Sequence, residues 1–427
     1  MRLKTVSAWV MILVLLVTAV GCSQSSDGKT DSAKGNGDSG DKIKLTVYSS
    51  TTEQSAHEVL RSIVDEYTQQ NPNISVDLQF PGTEYESIMK VKMAANDLPD
   101  IFDTHGWAKV RYSKYLADLR DEPWAAEMTD TIKPVVTDDT GKVNVLVLSE
   151  AKDGLTYNAD VLKKFNIPVP KTYKELLDAA EKITKESNGE VSPFFMSGID
   201  NGSVGGYLDL FASSMFISHK QNDEQSLLDG TFDWNKWTPF AQMLLDLKTK
   251  GYVNVDVLTA KGSDLPQRFA QDKVAFVIGG PAIADDVHKL NPNTEIGIMP
   301  LPAIVDGDEP ILIGGERYSF GAWKDGKNLE ESKKLIAFFA QPENLAKVAN
   351  VSKLAAGLKG VTTDHEFSKY FDEYADVRVF PYFDRVYLPN GMWDVLCKTG
   401  TALLAGAVTP EQFSEKMKQE YERLRTN

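Results

Sequence analysis

Apolar residues recur with two different periods after residue 42, and segments of the two kinds follow each other along the chain. Every second residue is apolar over 43–47 and over 74–80, which predicts β-strands, and Asp100-Ile101-Phe102 predicts a third. Between them, apolar residues recur every three or four positions, as on one face of a helix, and we place a capping box of Ser55 and Glu58 at the start of the first helix. Strand, helix, strand, helix, strand predicts a parallel sheet whose strands are joined by helices.

A second unit of strands and helices begins near Gly154. Thr172 and Glu175 are spaced as a capping box at the start of another amphipathic helix. The continuous apolar run 274–278 predicts a buried strand, and it ends at Gly279-Gly280-Pro281, where the backbone can approach a ligand closely. The chain is therefore predicted to be an α/β protein.

The loops after the first and third strands carry polar and aromatic side chains, and ligands of such sheets bind beyond the carboxyl ends of the strands. The residues concerned are Ser50, Thr51 and Glu53 in the first loop and Asp103, His105 and Trp107 in the third. Carboxylates accept hydrogen bonds from sugar hydroxyls, and an indole covers the apolar face of a sugar ring. The alternative is structural, with the hydroxyls capping the first helix and Trp107 serving as half-buried packing.

The N-terminus has the features of an export signal. Arg2 and Lys4 precede an apolar run over 6–20, which is too short to span a bilayer as a helix, and Cys22 follows directly. This arrangement resembles the bacterial lipobox, apart from Ala19 where leucine is usual, and implies that Cys22 is acylated. We predict a signal peptide over 1–21 and a flexible, lipid-anchored linker over 22–42, which holds no large apolar residue. An uncleaved membrane anchor is the alternative.

Composition excludes several classes of function. The 427 residues include 61 acidic and 46 basic ones, and this net charge of −15 argues against a nucleic-acid partner. Two cysteines and five histidines leave little for a disulfide scaffold or a metal centre, so we expect no metal and no cofactor. No GxSxG, HExxH or P-loop motif is present, and we expect no enzymatic activity.

Taken in order, several segments resemble the extracellular solute-binding lipoproteins of carbohydrate ABC importers, in the maltose-binding-like group. They are the lipobox and linker, the strand from Ile43 to Tyr48, Leu98-Pro99-Asp100-Ile101-Phe102, Gly154-Leu155-Thr156-Tyr157-Asn158, Val274 to Pro281, and Pro389-Asn390-Gly391-Met392-Trp393. The resemblance covers essentially residues 43–427. It implies a two-lobed, periplasmic-binding-protein-like fold of type II, in which each lobe is a sheet flanked by helices and three hinge crossings join the lobes.

On this sequence, the resemblance places residues 43–150 and 312–353 in lobe 1 and residues 151–311 and 354–427 in lobe 2. The crossings fall near Leu148 to Asp153, Ile311 to Gly315 and Leu354 to Gly357. Candidate ligand residues carried over from the family are Met196, Gly198, Gly280 and Trp393 in lobe 2 and Glu150 and Glu316 at the crossings. The family often has an aromatic residue where Ala282 follows Gly280-Pro281, so we consider Tyr207 as a differently placed aromatic.

The function implied is that of the substrate-binding component of an ABC transporter. Such a protein captures a sugar or oligosaccharide between its lobes and delivers it to the membrane permease. We expect a monomer anchored through Cys22 to the bacterial cell membrane and facing the extracellular side. The alternatives are a binding protein for a polyamine, peptide, iron or phosphate, and a secreted glycoside hydrolase.

Overall fold

The computed structural model describes residues 42–426, which form ten strands and sixteen α-helices. The strands are β1 (Ile43–Tyr48), β2 (Ile74–Gln79), β3 (Ile101–Phe102), β4 (Leu146–Asp153), β5 (Leu155–Asn158), β6 (Ser192–Phe194), β7 (Val274–Ile278), β8 (Ile296–Met299), β9 (Leu312–Ala322) and β10 (Val379–Pro381). The helices are α1 (Gln54–Gln70), α2 (Tyr85–Ala95), α3 (Lys133–Val136), α4 (Ala159–Lys164), α5 (Tyr173–Glu186), α6 (Gly202–Phe216), α7 (Glu224–Asp229), α8 (Trp237–Thr249), α9 (Leu265–Ala270), α10 (Ala284–Leu290), α11 (Leu329–Phe339), α12 (Pro342–Ser352), α13 (Ser368–Glu373), α14 (Phe383–Tyr387), α15 (Met392–Leu404) and α16 (Pro410–Arg425).

The first sheet has the order β10-β9-β3-β1-β2, and β4 also pairs with β9. The predicted parallel arrangement of the first three strands is confirmed, since Val47 of β1 is level with Leu78 of β2 and with Ile101 of β3. Strand β9 returns from far along the chain and lies antiparallel to β3. This pairing places the residues after Gly315 beside the loops that follow β1 and β3.

The second sheet has the order β6-β7-β5-β8. Strand β5 lies antiparallel to both β7 and β8, while β6 is parallel to β7. The predicted strand over 274–278 is confirmed as β7, and its first four residues are buried. The turn at Gly279-Gly280-Pro281 therefore leaves the edge of this sheet next to the start of β5, where the Gly279 amide donates to the Gly154 carbonyl oxygen at 2.9 Å.

Buried apolar side chains form separate clusters around the two sheets. The cluster around the first sheet contains core residues from 45–148 and 318–358. The larger cluster around the second sheet contains core residues from 151–313 and 380–421, and a smaller one draws on 195–298 and Phe367. Burying apolar surface in this way is the main stabilising contribution in each part of the fold.

Three segments that were predicted as lobe crossings lie side by side. Strands β4 and β9 are antiparallel from Leu146 opposite Phe320 to Asp153 opposite Ile313. On the other side of β4, the Glu150 amide donates to the Ala355 carbonyl oxygen at 2.8 Å, which adds the third segment. The exact lobe boundaries stay a prediction.

Two of the predicted helix starts differ in outcome. The capping box of Thr172 and Glu175 is confirmed at the start of α5. The one predicted for Ser55 and Glu58 is wrong, because α1 begins at Gln54 and its N-cap residue is Glu53, whose side chain makes no capping bond. The Glu53 carboxylate instead accepts from the Tyr318 hydroxyl, a partner 265 residues away that local spacing cannot reveal.

The predicted signal peptide, the linker up to residue 41 and Cys22 lie outside the described residues. Within 42–426, no helix is long and apolar enough to cross a membrane.

Candidate functional site

A cleft of about 170 Å³ lies between the two sheets, beside the paired strands β4 and β9. One wall is the start of α1, the opposite wall is the turn after β7, and the end of α12 closes one side. Its lining includes Glu53, Asp153, Gly280, Ala282, Arg317, Tyr318, Lys353 and Tyr382. The predicted residues Glu53 and Gly280 therefore face the same cleft from opposite sides.

The Glu53 carboxylate is fixed at the first-sheet wall of the cleft. The Tyr318 hydroxyl donates to Glu53 Oε2 at 2.8 Å, and the Thr52 amide donates to the same oxygen at 3.1 Å. Burial alone raises the pKa of Glu53, but these hydrogen bonds together with the Arg317 charge hold that pKa below its ordinary value. Glu53 is therefore a charged hydrogen-bond acceptor whose second oxygen can receive a ligand donor.

The Asp153 carboxylate lies at the end of β4, opposite Glu53. The Tyr382 hydroxyl donates to Asp153 Oδ2 at 2.6 Å, and Asp153 Oδ1 is 2.5 Å from the position that a Cβ on Gly280 would occupy. Any side chain at position 280 would therefore displace Asp153. Burial raises the pKa of this carboxyl, and the Tyr382 hydrogen bond opposes the increase.

Arg317, on β9, supplies positive charge between these two carboxylates. Burial alone lowers the pKa of its guanidinium, but two neighbouring tyrosines and the carboxylates of Asp153 and Glu53 outweigh burial and raise that pKa above its ordinary value. The guanidinium is also 5.5 Å from the centre of the Tyr318 ring. The cleft thus combines acceptors, a donor and aromatic faces within a small space.

The loops after β1 and β3 lie side by side, and Asp103 is completely buried between them. Its Oδ2 accepts from the Ser50 hydroxyl at 2.6 Å, and its Oδ1 accepts from the Ser319 hydroxyl at 3.0 Å and from the His105 amide at 2.9 Å. Both carboxylate oxygens are therefore occupied by protein donors. This arrangement favours a role in holding the loops rather than a direct contact with a ligand.

Thr51 is also buried. Its hydroxyl lies 3.1 Å from the Ser49 hydroxyl, and its carbonyl oxygen lies 2.8 Å from His57 Nε2. Thr51 and Ser50 thus have hydrogen-bond partners within the protein, in agreement with a structural role. Neither hydroxyl caps α1, however.

His105 and Trp107 extend the loop toward α14. His105 Nδ1 lies 3.1 Å from a Glu86 oxygen, and its ring meets the edge of the half-buried Trp107 with the ring centres 5.5 Å apart. The Arg111 guanidinium lies over one face of Trp107 at 4.2 Å, and the Arg385 guanidinium is 5.2 Å from the same ring centre. Trp107 therefore lies where the two packing clusters face each other.

The two carboxyl groups predicted at the crossings are buried. Glu150 accepts from the hydroxyls of Thr129 and Thr131, and burial raises its pKa. Glu316 accepts from the Ala108 amide at 2.9 Å and the Thr104 hydroxyl at 3.0 Å, and burial raises its pKa to about 7. Both acids therefore hold neighbouring segments of the first unit together.

Three residues expected near a ligand on the second-sheet side lie away from the cleft lining. Met196 is fully buried, and its amide donates to Asn254 at 2.8 Å. Gly198 packs against the backbone at Val257, where a Cβ would come within 2.6 Å of a carbonyl oxygen. The prediction that Tyr207 could stack on a ligand is wrong. Its side chain is fully buried, and its hydroxyl lies 2.9 Å from the Tyr173 hydroxyl, within hydrogen-bond distance.

Trp393 stands in the first turn of α15 with 39% of its surface exposed. The end of its ring is 3.5 Å from the position of a Cβ on Gly205, near the start of α6. It is an exposed aromatic face on the second-sheet side, although it does not line the cleft described above.

Comparison with known proteins identifies the family. The sequence matches the family described as bacterial extracellular solute-binding protein over residues 51–346. The chain belongs to this family of solute-binding proteins. It is 41% identical to the melibiose/raffinose/stachyose-binding protein MelE of Bacillus subtilis (strain 168) over 414 residues, which cover 97% of this chain and 95% of that protein.

Solved structures agree. A sugar transporter protein of Bacillus licheniformis in complex with stachyose is 44% identical, with a TM-score of 0.80 over 90% of this chain and all of that one. The binding protein MsmE of Bacillus subtilis, in an open conformation, is 42% identical, with a TM-score of 0.86 over 90% of this chain and 98% of that one. This solute-binding protein has the predicted two-lobed α/β fold.

Sequence reasoning about this solute-binding protein missed several residues of the cleft, among them Asp153, Arg317, Tyr318 and Tyr382. Asp153 directly precedes the segment that begins at Gly154, and Arg317 directly follows Glu316, so each adjoins a residue already singled out. Asp153 and Arg317 come together because β4 pairs with β9. This pairing joins residues 160 or more positions apart, so local sequence patterns do not reveal it.

Proposed function

We propose that this protein is the substrate-binding component of an ABC importer and that it captures a raffinose-type oligosaccharide such as melibiose, raffinose or stachyose. The observation that carries the proposal is the 44% identity to a sugar transporter protein in complex with stachyose, across 90% of this chain and the whole of that one. The name of MelE specifies the same three sugars.

The chemistry of the cleft supports an uncharged, hydroxyl-rich ligand. Glu53 and Asp153 accept hydrogen bonds, Arg317 donates them, and Tyr318 and Tyr382 provide faces for sugar rings. A single neutral hydrogen bond contributes only about 0.5–1.5 kcal/mol, while micromolar binding requires about 8 kcal/mol. Contacts from both sides of the cleft must therefore add up, and Trp107 and Trp393 are our further candidates for stacking.

The lobes proposed for this function are residues 43–150 with 312–353 and residues 151–311 with 354–427. They would close about the three adjacent strand segments at β4, β9 and Ala355. Closure excludes water and strengthens each polar contact with the ligand, and the closed surface is what a permease would recognise.

We propose that the bound sugar is released unchanged. The buried acids Glu150 and Glu316 are bonded to the protein's own hydroxyl and amide groups, which suits a structural role rather than acid–base catalysis. Incubating the protein with stachyose and analysing the sugar by chromatography tests this directly. Intact stachyose is expected, and monosaccharide products would contradict it.

We further propose that Cys22 carries a lipid that anchors the mature protein on the extracellular face of the membrane. Cys22→Ser in the full-length precursor is expected to abolish recovery in the membrane fraction. Retention of that variant in the membrane would instead support an uncleaved anchor.

The experiment that tests the function is isothermal calorimetry of the mature protein with stachyose, raffinose, melibiose and maltose. Binding of the first three sugars, with a raised melting temperature in their presence, is the expected result. Binding of maltose alone, or of none of the four, would contradict the proposal.

A further inference from the structure

We propose that Arg385 is a ligand-binding residue, which extends from α14 to the loop after β3 beside the cleft and donates hydrogen bonds to the sugar. The inference rests on the proposed sugar-binding function and adds a residue that neither its sequence context nor the comparisons indicate. It is carried by the position of the guanidinium and by the absence of acceptors for it in the described part of the chain.

The guanidinium of Arg385 lies between two aromatic rings that belong to different packing clusters. It is 4.1 Å from the centre of the Tyr382 ring, in the cluster of the second sheet, and 5.2 Å from the centre of the Trp107 ring, in the cluster of the first. Because Tyr382 also donates to Asp153, Arg385 adjoins the cleft described above.

A glycine provides the space for the Arg385 side chain at the loop after β3. Arg385 Nη1 lies 2.0 Å from the position that a Cβ on Gly106 would occupy, so any larger residue there would push the guanidinium away. Gly106 also has a φ of +90°, which L-residues with a side chain rarely adopt. The loop after β3 is therefore shaped to receive this side chain against its backbone.

The guanidinium has donors to offer. Within residues 42–426 it forms no hydrogen bond and no ion pair at 4 Å or less, whereas Arg111 is bonded to Glu86 and to Asn390 at 2.8 Å, and Arg268 is bonded to Asp256. Burial raises the pKa values of four nearby carboxyl groups, and the charge of Arg385 opposes that increase in each; they are Asp153, Asp209, Glu316 and Asp384. None of these carboxylates accepts a hydrogen bond from the guanidinium, so its charge has partners but its donors do not. The hydroxyl and ring oxygens of a sugar bound in the adjoining cleft would supply hydrogen-bond acceptors.

The helix that carries Arg385 is also held in place by a hydrogen bond from its own backbone. The Asp384 amide donates to Asp209 Oδ1 at 2.7 Å, and Asp209 is buried in α6. Burial raises the pKa values of Asp209 and Asp384, and the charge of Arg385 opposes this increase, so Arg385→Lys is the variant that keeps the surroundings of this anchor unchanged. This separates an effect on ligand binding from an effect on folding.

The test compares Arg385→Met with the matched control Arg378→Met, by calorimetry with stachyose. Methionine keeps the unbranched stem and removes all donors. The Arg378 guanidinium is exposed and lies 4.1 Å from the centre of the Phe380 ring, the same distance as that of Arg385 from the Tyr382 ring. Arg378 does not line the cleft.

We expect Arg385→Met to raise the Kd for stachyose at least about tenfold and Arg378→Met to leave the Kd unchanged. The melting temperature of each unliganded variant shows whether folding is affected. Arg385→Lys, which keeps the charge but not the planar fork, is also expected to bind more weakly than the wild type. If Arg385→Met does not fold, the lysine variant decides by its Kd.

An unchanged Kd would overturn the inference. A lower Kd would overturn it as well, because it would mean that the guanidinium competes with the sugar for the ring faces. These outcomes differ from a failure of the proposed function, in which the wild-type protein itself would bind none of the three sugars.

Discussion

Glu316 gives a prediction whose sign and size follow from its surroundings. Its carboxyl group is buried at β9, where burial raises its pKa to about 7, while the Ala108 amide at 2.9 Å opposes the increase and the nearby Asp103 adds to it. An unfolded chain would titrate at the ordinary value of 4.5. The folded state thus favours the protonated form, and this contribution to stability is present below pH 4.5 and is lost as the pH rises through about 7.

The size of the effect follows from that difference. The two pKa values differ by about 2.5 units at about 1.4 kcal/mol each, so up to about 3–4 kcal/mol of unfolding free energy is lost between acidic and alkaline conditions. Glu316→Gln keeps the shape and the bond from Ala108 and cannot ionise. Relative to the wild type, the variant should therefore gain about 2–3 kcal/mol between about pH 5 and about pH 8.

Urea unfolding followed by tryptophan fluorescence at the two pH values measures this difference. Glu53→Gln is the control, because the pKa of Glu53 lies below its ordinary value, so its contribution is lost only as the pH falls below this range. A difference between wild type and Glu316→Gln that is the same at both pH values would refute the reasoning. It would mean that Glu316 is already ionised in the folded protein at about pH 5.

Three further substitutions test the site. Trp393→Ala should weaken stachyose binding by more than about 1 kcal/mol with little change in melting temperature, and unchanged calorimetric affinity would discard its stacking role. Asp103→Asn should lower the unfolding free energy by about 2–3 kcal/mol, since it disrupts the bond from Ser50, and weaker binding at unchanged stability would show instead that the ligand contacts it. Tyr318→Phe should raise the pKa of Glu53 by removing its hydroxyl donor, and an NMR titration in which that pKa does not move would contradict the bond.

The fold could be predicted from the sequence wherever short-range periodicity decides it. Alternation over 43–47 and 74–80 and the apolar run over 274–278 each became a strand, because side-chain direction in a strand depends only on neighbouring positions. The start of α1 was missed because its capping residue, Glu53, bonds Tyr318 on a strand that enters the sheet much later.

The site was predicted less completely, for the same physical reason. Local reasoning singled out both Ser50 and Asp103, which follow strands that end at one edge of the sheet and are hydrogen-bonded to each other. It could not show that Asp103 is enclosed, because Ser319 completes its hydrogen bonds from 216 positions away. Asp153 and Arg317 were missed because only the pairing of β4 with β9 brings them to the same cleft.

Solution X-ray scattering with and without saturating stachyose tests the central claim most directly, namely that two lobes close around an oligosaccharide. We predict a smaller radius of gyration in the presence of stachyose and an unchanged one with maltose. Identical scattering curves, at a stachyose concentration that calorimetry shows to be saturating, would contradict closure around the sugar.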